Sequence, residues 1–155
     1  MKSSMLVFIA LPLAYQVVQA QGAMPEVKFI NPPTLYKPPT YSHVVETKGG
    51  RMIFIAGQVS NDTTGKVVGK GDFKAQTRQV FQNLKAALAA VGADFSHVVK
   101  MNSYFTNMAE QLPIFRQIRN EYLNMNAPPA STAVEVRRLA SEDYLLEVEV
   151  IAVVP

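Results

Sequence analysis

Two stretches near the C-terminus constrain the fold more than any other part of the chain. Thr132, Val134 and Val136 alternate with Ser131, Ala133, Glu135 and Arg137, while Leu146, Val148, Val150, Ala152 and Val154 alternate with Glu147, Glu149, Ile151 and Val153. A period of two is the strand signature, and it sends successive side chains to opposite faces of a sheet. Each strand therefore offers one apolar face to a core. The other face is mixed, with carboxylates beside aliphatic groups, and a buried carboxylate is costly unless it meets a donor, a cation or a ligand. Paired as a hairpin about Ser141-Glu142-Asp143, the two strands would set Glu147 opposite Arg137 as a cross-strand ion pair. Glu149 would then face Glu135, two neighbouring carboxylates able to share a proton.

Upstream, the pattern alternates between elements. Val44–Thr47 and Arg51–Val59 read as strands, joined as a hairpin across Lys48-Gly49-Gly50. Asn61–Gly71 is a glycine-rich loop without phosphate-loop spacing. Phe73, Thr77, Val80, Phe81, Leu84, Leu88 and Val91 recur at helical spacing, with Asp72 suited to start the helix and Gly92 to end it. A strand follows over His97–Thr106. A second helix is expected from about Gln111 to Leu123, because Pro113 fits a first turn better than a helix interior. This order predicts an α+β domain with two helices on one sheet face. The other face carries Ile151, Val153, Ala133 and Leu145 beside the acids, so an oligomer covering it is expected.

Four segments carry a family resemblance: Pro39-Thr40-Tyr41-Ser42, Met52-Ile53-Phe54-Ile55-Ala56-Gly57-Gln58, Pro129-Ala130 followed by Ala133-Val134-Glu135-Val136, and Leu146-Glu147-Val148-Glu149-Val150-Ile151-Ala152. In this order, with a long helix between the second and third, the run Tyr41–Val154 resembles the reactive intermediate deaminase (RidA/YjgF) family. The resemblance implies a chorismate-mutase-like α+β fold, a homotrimer with clefts between subunits, and hydrolysis of 2-imino or 2-enamino acids to 2-oxo acids and ammonia. It further implies that Glu149 orients the water, that Tyr41 lines the cleft, and that the Ala56-Gly57 backbone contacts the ligand's nitrogen side. Arg116 falls where members often carry Asn, and Ala133 replaces a small polar residue or Cys. Deaminating members carry Pro-Ala-Arg where this chain has Pro129-Ala130-Ser131, and that Arg grips the substrate carboxylate. Arg binds a carboxylate with a planar, bidentate fork, whereas Ser131 offers one hydroxyl. The expected activity is therefore weak or altered imine deamination. The alternative is a non-enzymatic protein of the same fold that binds small carboxylate or imine-type metabolites.

Composition narrows the remaining classes. There is no cysteine, which excludes disulfides and thiolate chemistry, and His43 and His97 stand apart without metal-ligand spacing. No metal or cofactor is expected. The net charge of +3 comes from scattered residues, with Arg137-Arg138 the only basic pair, so nucleic acid is not an expected partner. Lys2, the apolar run Met5–Ala14 and Val18-Gln19-Ala20 form a signal-peptide pattern over residues 1–20. That run is too short for a stable bilayer anchor, which needs about 20 residues. Cleavage after Ala20 and a periplasmic or secreted location are expected, followed by a proline-rich linker over 21–40 and the domain over 41–155.

Overall fold

The computed structural model describes residues 24–155, and the expected signal peptide lies outside them. The strands are β1 (Glu26–Ile30), β2 (Val44–Lys48), β3 (Arg51–Gln58), β4 (Val98–Phe105), β5 (Ala130–Glu135) and β6 (Leu146–Val154). The helices are α1 (Phe73–Ala89) and α2 (Met108–Arg119). β1 and β2 form a small antiparallel sheet, and the main sheet runs β3-β6-β4-β5. Within the main sheet β4 and β5 are the parallel pair, and α2 is the crossover that parallel strands require.

Three expectations about pairing and boundaries are corrected. Part of the expected linker 21–40 is strand, because β1 runs Glu26–Ile30 and pairs along the whole of β2. The hairpin across Lys48-Gly49-Gly50 is absent: β2 pairs with β1, and β3 pairs with β6. Both glycines have positive φ, and a Cβ on Gly50 would meet the Val154 carbonyl oxygen at 2.6 Å and Val153 Cγ1 at 2.9 Å. The corner therefore folds onto the end of β6 and hands the chain from one sheet to the other. The hairpin of β5 with β6 is also absent, because β4 lies between them. Glu149 stands opposite Asn102 and Glu147 opposite Tyr104, whereas Glu135 is in register with Phe105.

α1 forms as its periodicity demands. Asp72 caps it by accepting from the Ala75 N–H at 3.0 Å, and Gly92 turns the chain away with φ 74°. α2 begins at Met108, three residues before the expected Gln111, with Pro113 inside it. Two polar contacts offset the bond that proline cannot donate. The Glu135 carboxylate accepts from the Met108 N–H at 2.7 Å, and the Gln111 side chain accepts from the Asn107 N–H at 3.0 Å. An acid at the positive end of a helix is favourable, so Glu135 serves α2 rather than sharing a proton with Glu149.

Both helices lie on one face of the sheet. α1 packs on β3, β6 and α2. Val80, Phe81, Leu84 and Leu88 meet Phe115 and Ile118 above Met101, Phe105, Val148 and Val150, and all are buried. The Phe81 ring stacks on Tyr122 at 4.8 Å, and Phe105 meets Phe115 edge-on at 5.1 Å. Among the described residues nothing covers the opposite face, and its apolar residues differ from those expected. Val153 is only 3% exposed, lying beneath the Gly50 corner, and Leu145 packs against the core. Ala133 is in register with Ser103, which is buried on the helix side. Phe54, 72% exposed, and Met52 stand out instead, with Ile151 beside them. Among the described residues no helix is long and apolar enough to cross a membrane.

Candidate functional site

The uncovered sheet face holds two polar centres. The first arises where β3 departs from regular pairing. Ile55 pairs with Val150 and Gln58 with Val148, so three steps along β3 match two along β6, and the bulge falls at Ala56-Gly57. Bulges free backbone groups from the ladder and re-aim side chains. The Gln58 amide donates to the Ala56 carbonyl at 3.0 Å. Gly57 has no side chain where Glu147 lies: a Cβ there would be 2.7 Å from Glu147 Cδ and would collide with Oε1. The Glu147 carboxylate thus rests against the Ala56-Gly57 segment, half-buried, with no hydrogen bond or ion pair to the described residues. Its expected partner Arg137 instead borders a cleft of about 640 Å³ with Arg138, Ser141, Glu142 and Tyr144.

The second centre is Glu149. Its Oε1 accepts from the Asn102 amide at 2.7 Å and from the Tyr104 hydroxyl at 3.1 Å. The bond to Glu149 raises the Tyr104 phenol above its ordinary pKa, with burial adding to it, because the carboxylate favours the protonated donor. Lys100 lies two residues before Asn102 on the same side of β4 and donates to Thr132 Oγ1 at 2.6 Å. Lys100, Asn102 and Glu149, together with Phe54, Ala56 and Ile151, border a cavity of about 330 Å³.

The remaining expected residues lie elsewhere. Tyr41 is half-buried beside the start of β5: Ser42 bridges to Ala130, and its hydroxyl donates to the Pro128 carbonyl at 2.7 Å. The Tyr41 ring meets the His43 ring edge-on at 5.5 Å. Ser131 is in register with Met101, so it points to the helix side of edge strand β5, away from Glu147 and Glu149. With β4 between β5 and β6, the two strands are also about 10 Å apart. One chain thus joins Ala56-Gly57 to Glu147 and sets Tyr41 near Ser131, but does not bring these two halves together.

Arg116 is exposed on α2 and meets none of them. The buried arginine of that helix is Arg119, 5% exposed, which donates to Asn120 Oδ1 at 2.9 Å and lies 5.9 Å over the Phe115 ring. Burial, then the charge of Arg116, lowers its pKa. Sequence reasoning passed over Glu147 as a candidate because the pairing it assumed neutralised that carboxylate. The available signal was Gly57, a strand glycine at a position where backbone and another group come close.

Comparisons with known proteins agree with this architecture. Residues 35–154 match the family described as Endoribonuclease L-PSP. The chain is 42% identical over 113 residues to a RutC family protein of Pyrococcus horikoshii, covering 72% of this chain and 85% of that one. It is 34% identical over 122 residues to the RutC family protein YjgH of Escherichia coli K12, covering 79% of this chain and 88% of the relative. Among solved structures, a Rid-family protein of unknown function from Yersinia pestis superposes with a TM-score of 0.73 at 37% identity, over 83% of this chain and 98% of that one. RidA from an Antarctic Psychrobacter gives a TM-score of 0.61 at 33% identity, over 74% and 89% respectively. With nearly all the described residues inside the match and the same arrangement of strands and helices, this chain belongs to the endoribonuclease L-PSP family, that of the RidA and YjgF proteins.

Proposed function

We propose that this chain is a Rid-type protein that binds small carboxylate or imine-type metabolites in clefts between subunits, with weak 2-imino acid hydrolysis as its chemistry. The observation that carries this reading is the Glu147 carboxylate, which has no partner among the described residues and is held against the bulged Ala56-Gly57 backbone. Imine hydrolysis needs water directed at the C=N carbon and a group to take its proton. The carbinolamine formed then protonates on nitrogen, its C–N bond breaks, and ammonia leaves behind the 2-oxo acid. A carboxylate beside backbone groups that face the nitrogen suits both steps. Glu147 is better placed for this role than Glu149, whose Oε1 is taken by Asn102 and Tyr104. Ser131 in place of a cation limits the grip on substrate, which keeps a purely metabolite-binding role as the second reading. The assay couples an amino-acid oxidase, which makes the imine, to trapping of the imine that survives. Measurable shortening of imine lifetime by the wild type supports the enzyme, and saturable ligand binding without it supports the second reading.

A homotrimer completes this site. Because Ser131 and Glu147 face opposite ways within one chain, the edge strand β5 of one copy must approach the β3–β6 face of another. Phe54 and Met52 supply the apolar surface for that contact. Phe54→Lys is expected to yield a folded monomer, since Phe54 is not part of the core. Sedimentation equilibrium checks this: a wild type that is monomeric at micromolar concentration overturns the assembly, and a Phe54→Lys trimer overturns the face.

The same reading includes export. The mature chain is expected to begin at Gln21 outside the cytoplasm, losing Lys2 and with it one unit of the +3 charge. Intact mass of natively expressed protein decides this, and cytosolic protein that retains residues 1–20 defeats it.

A further inference from the structure

We propose that the cavity between Lys100 and Glu149 is a second ligand site, one that takes a small zwitterionic α-amino acid. It goes beyond the imine reading: the cavity shares Ala56 with that site, but none of Ser131, Tyr41 or Glu147 borders it.

Two unneutralised charges of opposite sign stand on one wall. The Lys100 ammonium has three N–H donors, uses one on Thr132, and has no carboxylate of a described residue within 4.0 Å. Glu149 has both hydrogen bonds on Oε1, leaving Oε2 without a partner among the described residues. Asn102 and Tyr104 both bond to that carboxylate and orient it. The two charged residues do not reach each other. Glu149 is opposite Asn102 and Lys100 is opposite Ile151, so their Cα atoms lie diagonally, about 7–8 Å apart, and the Lys100 ammonium reaches toward Thr132 on the β5 side of β4. The two heads are more than 4.0 Å apart, which leaves room for a ligand whose adjacent, opposite charges hydrogen-bond one to each. An α-amino acid has that form, its carboxylate meeting Lys100 and its ammonium meeting Glu149.

The rest of the cavity selects the side chain. Phe54, Ala56 and Ile151 present apolar surface, and the volume of about 330 Å³ admits an aliphatic residue. A lone carboxylic acid would leave Glu149 unneutralised, and a lone amine would leave Lys100 so. Both charges must be matched at once for binding to be favourable. Other copies packing over this face would enclose the ligand, and excluding water strengthens both charge pairs.

The test is calorimetric titration of the assembled protein with L-valine, isobutyrate and isobutylamine, which separate the three chemistries. L-valine is expected to bind with millimolar or tighter affinity, and the acid and the amine each about tenfold or more weaker. Lys100→Gln and Glu149→Gln each weaken valine by a similar factor, while Lys100→Arg retains it. Arg138→Gln, which removes a positive charge from another cleft, leaves it unchanged. Isobutyrate binding as well as valine, or valine binding that survives Lys100→Gln in a protein of unchanged assembly, overturns the proposal. Valine binding lost in Glu147→Gln but kept in Lys100→Gln also overturns it, by assigning the ligand to the imine site. Absence of imine hydrolysis with valine binding intact defeats the enzymatic reading alone.

Discussion

Ser131→Arg is expected to raise 2-imino acid hydrolysis by on the order of thirty- to several-thousand-fold over the wild type. The range corresponds to about 2–5 kcal/mol, the usual effect of one partner in a desolvated charge pair. Ser131 is half-buried on the edge strand, and its neighbour on the same side two residues on is Ala133, so a long side chain has room to leave the strand. The fork it would present meets both oxygens of a substrate carboxylate, which a hydroxyl does not. Binding would hold the C=N carbon near Glu147 of a neighbouring copy in the proposed trimer and raise the rate through positioning alone. Oxidase-coupled imine trapping reads the change directly. If the wild type already matches an Arg-bearing relative, another cation holds the carboxylate, and the premise about Ser131 fails. If neither protein is active, the metabolite-binding reading replaces the enzyme.

Glu147→Gln, made in the Ser131→Arg background, is expected to lower activity by about 10²–10⁴-fold, the usual contribution of a positioned proton-transfer group. Glutamine keeps the shape but is a poor proton acceptor, and the side chain has no described hydrogen bond whose loss would unfold the protein. Gly57→Ala offers a second route to the same result with Glu147 intact, since the added Cβ claims the space of the carboxylate. Thermal melting of both variants confirms that the fold is retained. Glu149→Gln tests the competing assignment: if it abolishes turnover while Glu147→Gln does not, the water-orienting role returns to Glu149.

Much of the fold was legible without coordinates. α1 was marked by its apolar stripe and by the cap and stop residues Asp72 and Gly92, all local properties of the chain. Ser131 as a departure was legible too, because it needs only a residue at a position in a motif. The start of α2 was misread because Pro113 argues locally for a later start. The contacts that favour the earlier one include Glu135, twenty-seven residues away.

Sequence alone determined which residues alternate, hence which can share a sheet face, and it determined the family through motifs in order. Alternation does not say which strand is the neighbour, because side-chain period is the same whatever lies alongside. Only the tertiary structure decided that β4 separates β5 from β6. That single insertion moved Glu135 to the end of α2, gave Glu149 to Asn102 and Tyr104, and freed Glu147 to lie against Gly57. Gly57 hinted at an irregularity, but the bulge at Ala56-Gly57 was fixed only by the mismatch between two paired strands. Pairing is a long-range choice, settled by which faces and edges bury together, and the carboxylates took their partners from it.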